Sequence, residues 1–355
     1  MNEQPLHTPL HGGDIHSASL RFGIAIDDWL DISTGINPDY YPLPVIPDCY
    51  YRHLPANEDA GLIAAARQYY DCHHLVAAAG SQRLIELLPT LRSHCRVAIP
   101  DVGYQEHGLQ WLRCGHTLSY YDGWQPESLT EQIDAGVVDV VVVINPCNPT
   151  AALITVELLE QWRVLLAERG GWLIVDEAFA DTNPQQSFAS SSHLPGVIVL
   201  RSFGKFFGLA GLRVGFALAE QRVTQLLSEQ LGPWNVAGPS MYIAAQAVAD
   251  TAWQQQARQQ IQRSSQYLVN LVQEQLKNRV SRIVSSGLFV TVLGDAAMMI
   301  DVYNGLARQG VLVRLWQPPN DKYHALLRFG LIAEDDTKGR LHLEQALRAV
   351  GEGVV

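Results

Sequence analysis

One lysine of this chain, Lys205, sits in a glycine-rich and otherwise apolar stretch, Ser202-Phe203-Gly204-Lys205-Phe206-Phe207-Gly208-Leu209-Ala210-Gly211-Leu212-Arg213-Val214-Gly215. A hydroxyl, on Ser202, precedes it by three positions, and a guanidinium, on Arg213, follows it by eight. Burial makes the charged form of an amine costly, so a lysine in such a turn has a lowered pKa and becomes a nucleophile toward aldehydes. Serine and arginine are group types that hold a phosphate, arginine as a rigid fork of donors. Together they suit a phosphorylated aldehyde. The same residues also fit a loop with a solvated lysine, and spacing alone does not separate the two readings.

Two upstream segments add to the set. Val138-Asp139-Val140-Val141-Val142-Val143-Ile144 reads as a buried strand that runs into the polar turn Asn145-Pro146-Cys147-Asn148-Pro149-Thr150. Trp172-Leu173-Ile174-Val175-Asp176-Glu177-Ala178 is a second apolar strand, closed by a carboxylate. Ligands of open α/β sheets sit outside the carboxyl ends of the strands, where Asn148, Asp176 and Lys205 can converge. An aspartate beside a pyridine nitrogen keeps the ring protonated and so an electron sink. An amide side chain can donate to the phenolic oxygen beside the aldehyde. The joint set describes pyridoxal 5'-phosphate held on Lys205. Taken singly, Asp176 also fits as a helix cap and Asn148 as a turn residue.

The ordered motifs Asn-Pro-x-Asn-Pro-Thr, Asp-Glu-Ala and Ser-x-x-Lys with a later Gly-Leu-Arg resemble the fold type I aminotransferase family of pyridoxal phosphate enzymes, over nearly the whole chain. That resemblance implies roles. Lys205 becomes the Schiff-base lysine, Asp176 the partner of the ring nitrogen and Asn148 the donor to the ring oxygen, with Ser202 and Arg213 as phosphate ligands. Gly80, Ser81 and Gln82 open a helix expected over roughly 82–91, whose first N–H groups face the same phosphate. A homodimer is implied as well, in which Tyr51 either reaches the partner's cofactor phosphate or packs in the interface. Three positions depart from the family pattern: Ala151 stands where glycine is usual, Phe179 where tyrosine is common, and Val102 at the commonest spacing for the ring-stacking aromatic. Tyr104 and His107 remain as candidates for stacking, with Tyr104 favoured.

The N-terminal segments His11-Gly12-Gly13-Asp14 and Trp29-Leu30-Asp31-Ile32-Ser33-Thr34-Gly35-Ile36-Asn37-Pro38 resemble a decarboxylating branch of this family that takes a phosphorylated amino acid. In that branch the N-terminal arm closes over the substrate, which places His11 and the amide of Gly12 near the substrate phosphate. Backbone groups of Gly35, Ile36 and Asn37 approach the α-carboxylate. Arg328, in Leu326-Leu327-Arg328-Phe329-Gly330, matches the arginine that takes this carboxylate in a bidentate pair. Arg314, on the strand before it, either reaches the substrate phosphate or is solvated. The expected reaction is decarboxylation. A histidinol-phosphate-type aminotransferase and a non-catalytic regulator are the alternatives, the first separable by its need for a keto acid.

These groups must be held by a large scaffold. The chain has 355 residues, 47% of them hydrophobic, enough for two unequal domains around substantial cores. Apolar runs at Val97–Ile99, Val138–Ile144, Trp172–Val175, Val197–Leu200 and Val214–Leu218 alternate with helical patterns, as in a mainly parallel α/β sheet. The expected organisation is an N-terminal arm (1–30), a large cofactor-binding domain (31–230) and a smaller C-terminal α/β domain (231–355). A long helical stretch is expected from Met241 to about Asn278, interrupted by glutamine-rich turns, followed by a strand near 288–293 and two more strands. A net charge of -11 argues against nucleic acid or anionic membrane as partner. No apolar run approaches ~18 residues, the start lacks the order of a secretory signal, and the five cysteines are scattered, all of which points to the cytoplasm. His73-His74 is the only suggestive histidine pair; adjacent helical residues point apart, and no metal is expected.

Overall fold

A computed structural model describes residues 12–55, 61–317 and 324–353. Among these residues two compact units are distinguishable. One comprises 40–148 and 152–255, the other 12–39, 149–151 and 256–353. Residues 12–30 thus group with the C-terminal unit, and 231–255 with the first.

Strand β1 (Leu30–Asp31) comes first in the chain, followed by β2 (Leu75–Ala78), β3 (Arg96–Pro100), β4 (Thr117–Tyr121), β5 (Val140–Ile144), β6 (Trp172–Asp176), β7 (Val197–Ser202) and β8 (Gly215–Ala219). Strands β2 to β8 form the sheet of the first unit, in the order β2-β8-β7-β6-β5-β3-β4. Strands β4, β3, β5, β6 and β7 run parallel to one another; β8 is inserted antiparallel between β2 and β7. All five residues of β5 are buried, as expected of a central parallel strand covered on both faces. The fold is therefore the mainly parallel α/β class that the sequence indicates.

Register matters for function. Ile144 at the end of β5 pairs with Asp176 at the end of β6, and Asp176 pairs with Leu200 of β7. The ends of β5 and β6 are level and β7 runs two residues further, so the turns that follow all leave the sheet at its carboxyl edge. The helix expected over 82–91 is α-helical only from Ser81 to Leu87; Pro89 sits in a 3-10 turn that completes it at Leu91. The helical stretch after Gly232 is broken at Asp250, between helices Gly238–Ala249 and Thr251–Leu276, and not at the glutamines. Gln254 is buried, and its amide donates to the carbonyls of Ala247 and Val248 at 3.0 and 3.1 Å, satisfying the end of the preceding helix.

In the second unit, β9 (Arg282–Ser285), β10 (Phe289–Asp295), β11 (Val311–Leu312), β12 (Arg314–Trp316) and β13 (His324–Gly330) follow. Four of them form an antiparallel sheet, β12-β13-β10-β9, while β11 pairs in parallel with β1. The expected strand 311–315 is thus two short strands that serve different sheets, divided at Val313. The N-terminal helix Ile15–Phe22 is capped by Asp14, whose carboxylate accepts the N–H of Ser17 at 3.1 Å, and it ends at Gly23 in the left-handed conformation. Its Ala18 packs with Trp29, Ala307 and Leu312. Among the described residues, no helix is long and apolar enough to cross a membrane.

Candidate functional site

The turn after β5 is built around Asn145, not Asn148. The Asn145 side chain brackets Ile154, accepting its N–H at 2.9 Å and donating to its carbonyl at 3.0 Å. Its backbone N–H donates to the Asp176 carbonyl at 2.8 Å. Cys147 is fixed by its N–H to Ala152 and its thiol to the Val102 carbonyl at 3.2 Å. Asn148, half-buried, is presented by this frame. Ala151, in the glycine position of the family pattern, has φ +59. Sequence reasoning marked the substitution but not the conformation it must adopt.

Asp176 ends β6 almost wholly withdrawn from solvent. One carboxylate oxygen accepts the N–H of Ala178 at 3.0 Å, and the other lies 2.8 Å from Nε2 of His107, which is also buried. The sequence suggested His107 only as a stacking alternative to Tyr104; its partner is instead the aspartate. Tyr104 is half-buried against Ile144, Cys147 and Ala152. Its hydroxyl donates to Gln82 at 3.1 Å, and the Gln82 amide in turn donates to the buried carboxylate of Glu106 at 2.9 Å. Burial, with the negative charge of Glu106, keeps the Tyr104 hydroxyl protonated far above neutrality. Glu106 was not foreseen; an acidic residue amid the apolar spacing of a helix was its only signal.

Lys205 lies on the short helix Phe203–Phe206 directly after β7 and is half-buried, its Nζ 5.6 Å from the centre of the Phe179 ring. Gly204 is required here, because a Cβ would come 2.6 Å from the Ala210 backbone. The chain then turns back at Arg213, in the left-handed region at φ +53, to enter β8. Ser202 pairs with Gly215 across β7 and β8, and the start of β8 presses on the turn at Ser81, where any side chain on Gly215 would collide with the Ser81 backbone. This brings Arg213 to Gly80: its Nη2 stands 2.6 Å from where a Gly80 Cβ would be. Gly80 has φ +86 and leads into the first turn of helix Ser81–Leu87.

The residues therefore fit pyridoxal 5'-phosphate. A glycine turn at a helix start, a serine hydroxyl and a guanidinium suit its phosphate, and a buried aspartate, an amide and a lysine suit its ring and aldehyde, all in the first unit. Glu177, next to Asp176 in the chain, belongs to a network that sequence reasoning missed, with Arg201, Glu177 and Asp181 all buried. Arg201 bridges Glu177 and Asp181, each at 2.5 Å, and Tyr69 donates to Asp181 at 2.9 Å. An arginine inside the apolar run of β7 and the Glu of Asp-Glu-Ala were the visible traces.

The second unit holds Gly12, Gly35, Ile36, Asn37, Arg314 and Arg328. Arg328 is buried on β13, directly across from Arg314 on β12. Its Nη2 donates to the Ser33 carbonyl at 2.6 Å and its guanidinium lies 5.3 Å from the centre of the Phe289 ring. Burial, with the like charge of Arg314, lowers Arg328 from its usual range to about 10. Two guanidinium groups side by side, one of them desolvated, form a place where anions are favoured. Gly35 and Asn37 are buried and Ile36 partly so; the Asn37 side chain accepts the N–H of Asp39 at 3.1 Å. Gly12 lies against Ser33. His11 lies outside the described residues. Tyr51 is in the first unit and 63% exposed.

Residues 62–344 match the family described as aminotransferase class I and II, and the chain belongs to that family. Within it, the chain is 41% identical to a threonine-phosphate decarboxylase of Pseudomonas aeruginosa over 331 residues, which cover 93% of this chain and 95% of its relative. A histidinol-phosphate aminotransferase of Cronobacter sakazakii is 29% identical, with 84% of each chain covered. In fold, the chain is similar to the crystal structure of histidinol-phosphate aminotransferase from Sinorhizobium meliloti in complex with pyridoxal-5'-phosphate, with a TM-score of 0.82, 19% identity and full coverage of both chains.

Proposed function

We propose that this protein is a pyridoxal 5'-phosphate-dependent carboxy-lyase. It converts L-threonine O-3-phosphate to (R)-1-aminopropan-2-yl phosphate and carbon dioxide, a step of cobalamin biosynthesis. The observation that carries this reading is the 41% identity, over nearly both full lengths, to a protein named threonine-phosphate decarboxylase. The arginine pair supports it, since the substrate bears both a carboxylate and a phosphate.

When bound, the cofactor supplies a protonated ring that accepts the electron pair left as the carboxylate departs. The chain's residues do the rest. Ser202, Arg213 and the turn Gly80-Ser81-Gln82 hold the cofactor phosphate. Asp176, fixed by His107, would hold a negative charge for the ring nitrogen, Asn148 would donate to the ring oxygen, and Tyr104 would pack on the ring. Lys205 would hold the cofactor, and its Nζ would supply the proton that replaces carbon dioxide on the α-carbon. Arg328 takes the α-carboxylate, with the backbone of Gly35, Ile36 and Asn37 alongside. Arg314, His11 and Gly12 serve the substrate phosphate.

The working form is a cytoplasmic homodimer. Leu43, Val45, Tyr51 and Leu54 are all exposed within one short segment, and apolar surface of this kind is suited to cover by a second subunit, through which Tyr51 would reach the partner's cofactor phosphate.

The test is to incubate the pure protein with pyridoxal phosphate and threonine O-3-phosphate, without any keto acid, and to assay carbon dioxide. Release over many turnovers is expected. No release, together with amination of an added keto acid by histidinol phosphate, would replace this reading with the aminotransferase.

A further inference from the structure

We propose that Ser33 is a positioning residue that locks the carboxylate arginine and the glycine arm into one gripping unit. This rests on reading Arg328 and the Gly12–Gly13 arm as substrate-binding. Ser33 is 2% exposed, and it is bonded through each of its polar groups. Its hydroxyl lies 2.6 Å from Oδ1 of Asp31, and the same oxygen accepts its N–H at 2.9 Å. A carboxylate accepts only, so the hydroxyl proton is committed to Asp31 and the Ser33 Oγ lone pairs face the arm. There Oγ accepts the N–H of Gly13 at 2.7 Å. The Ser33 carbonyl, meanwhile, accepts from Arg328 at 2.6 Å.

The two glycines are shaped to this clamp. A Cβ on Gly12 would stand 2.5 Å from the Ser33 carbonyl oxygen, the atom that holds Arg328, so only glycine can lie there. Gly13 has φ +86, which turns its N–H toward Oγ and leads the chain to the Asp14 cap. The segment bearing Ser33 is itself fastened to the end of β13: Gly330 donates to the Ile32 carbonyl at 2.6 Å, and a side chain on Gly330 would collide with the Thr34 carbonyl. One residue thus ties the arm to the strand that carries Arg328. Asp31 fixes which way the clamp's hydroxyl points.

The clamp can be opened on one side. Ser33→Ala removes Oγ and keeps the carbonyl, so Arg328 stays held while Gly13 loses its acceptor. In the holoenzyme without substrate, hydrogen exchange of a peptide spanning 12–22 should rise about fivefold, as expected for loss of one ordinary hydrogen bond, with exchange around Arg328 little altered. With threonine O-3-phosphate, KM should rise by about the same factor and more than kcat falls, and preference for phosphorylated over free threonine should shrink. Ser33→Thr, which keeps the hydroxyl, should restore both. Asp31→Ala, which frees the hydroxyl proton, should give an intermediate loss and serves if Ser33→Ala does not fold. Exchange and KM at wild-type values in folded Ser33→Ala would overturn the proposal, as would a kcat loss without any change in exchange. The exchange measurement needs no turnover. A protein that failed to decarboxylate would therefore refute the proposed function and leave the clamp standing, whereas active protein with unaltered exchange would refute the clamp alone.

Discussion

His107 Nε2 lies 2.8 Å from Asp176 Oδ2, and neither side chain is more than 5% exposed. The carboxylate's other oxygen is taken by a backbone N–H, so the pair is fixed in one orientation. A hydrogen bond to a charged group is worth about 1.5–3 kcal/mol, or roughly 10- to 100-fold in binding. His107→Ala should weaken pyridoxal phosphate binding by about that factor, read by titrating the unloaded protein with cofactor and following its absorption. Affinity within twofold of wild type would mean that Asp176 does not depend on His107.

The catalytic strands were legible because each is a run of buried apolar residues ending in a chemically distinctive one: Ile144 before the asparagine turn, Asp176, and Leu200 before Ser202. Strand β4 was not, since its residues Thr117–Tyr121 are of mixed burial and carry no clean alternation. The break at Asp250 escaped for a different reason. Glutamines that read as turn-formers lie within a helix, and one of them caps its neighbour. Lys205, Asp176 and Arg213 could be named from local motifs, whereas the partners Glu106, His107 and Arg201 depend on approaches between distant segments, which local spacing does not encode.

Arg201 is the clearest such case, a fully buried cation between two fully buried carboxylates. Burial pushes the Glu177 carboxyl upward and Arg201 opposes that shift. Arg201→Met would leave two negative charges buried without their partner, which costs about 3–5 kcal/mol. Urea unfolding should show a loss of that order, and a variant as stable as wild type would mean that water or rearrangement supplies the missing charge.

Arg328 predicts a pH dependence. With its folded value lowered to about 10 by burial and by Arg314, the guanidinium loses its charge as pH rises through about 10, well below the ordinary arginine range. Carboxylate binding needs the cation, so affinity for the substrate should fall as pH rises through about 10. The stability effect has the opposite sign. Above about 10 the unfolded chain keeps a proton that the folded one has released, so this group's contribution to stability rises with pH until the ordinary arginine range is reached. Arg314→Gln removes the like charge and should move the loss of binding to higher pH, whatever it does to affinity itself. The dissociation constant of threonine O-3-phosphate, measured from pH 8.5 to 11 in both proteins, decides it. Coincident inflections would show that the two arginines do not interact.

Ala151 is buried at φ +59, in a turn where the related family usually has glycine. The left-handed region costs a residue with a Cβ about 1–2 kcal/mol, and glycine removes that cost. Glycine also gives the unfolded chain more freedom, worth about 0.4–1 kcal/mol in the other direction. Ala151→Gly should therefore leave stability unchanged or raise it by up to about 1.5 kcal/mol. Alanine-to-glycine changes at ordinary backbone positions lower it. The variant should also retain cofactor affinity, because Asn145 and Cys147 hold the turn through bonds that do not involve residue 151. A loss of more than about 1 kcal/mol in urea unfolding would show that the Ala151 methyl contributes more through packing than its backbone costs through strain.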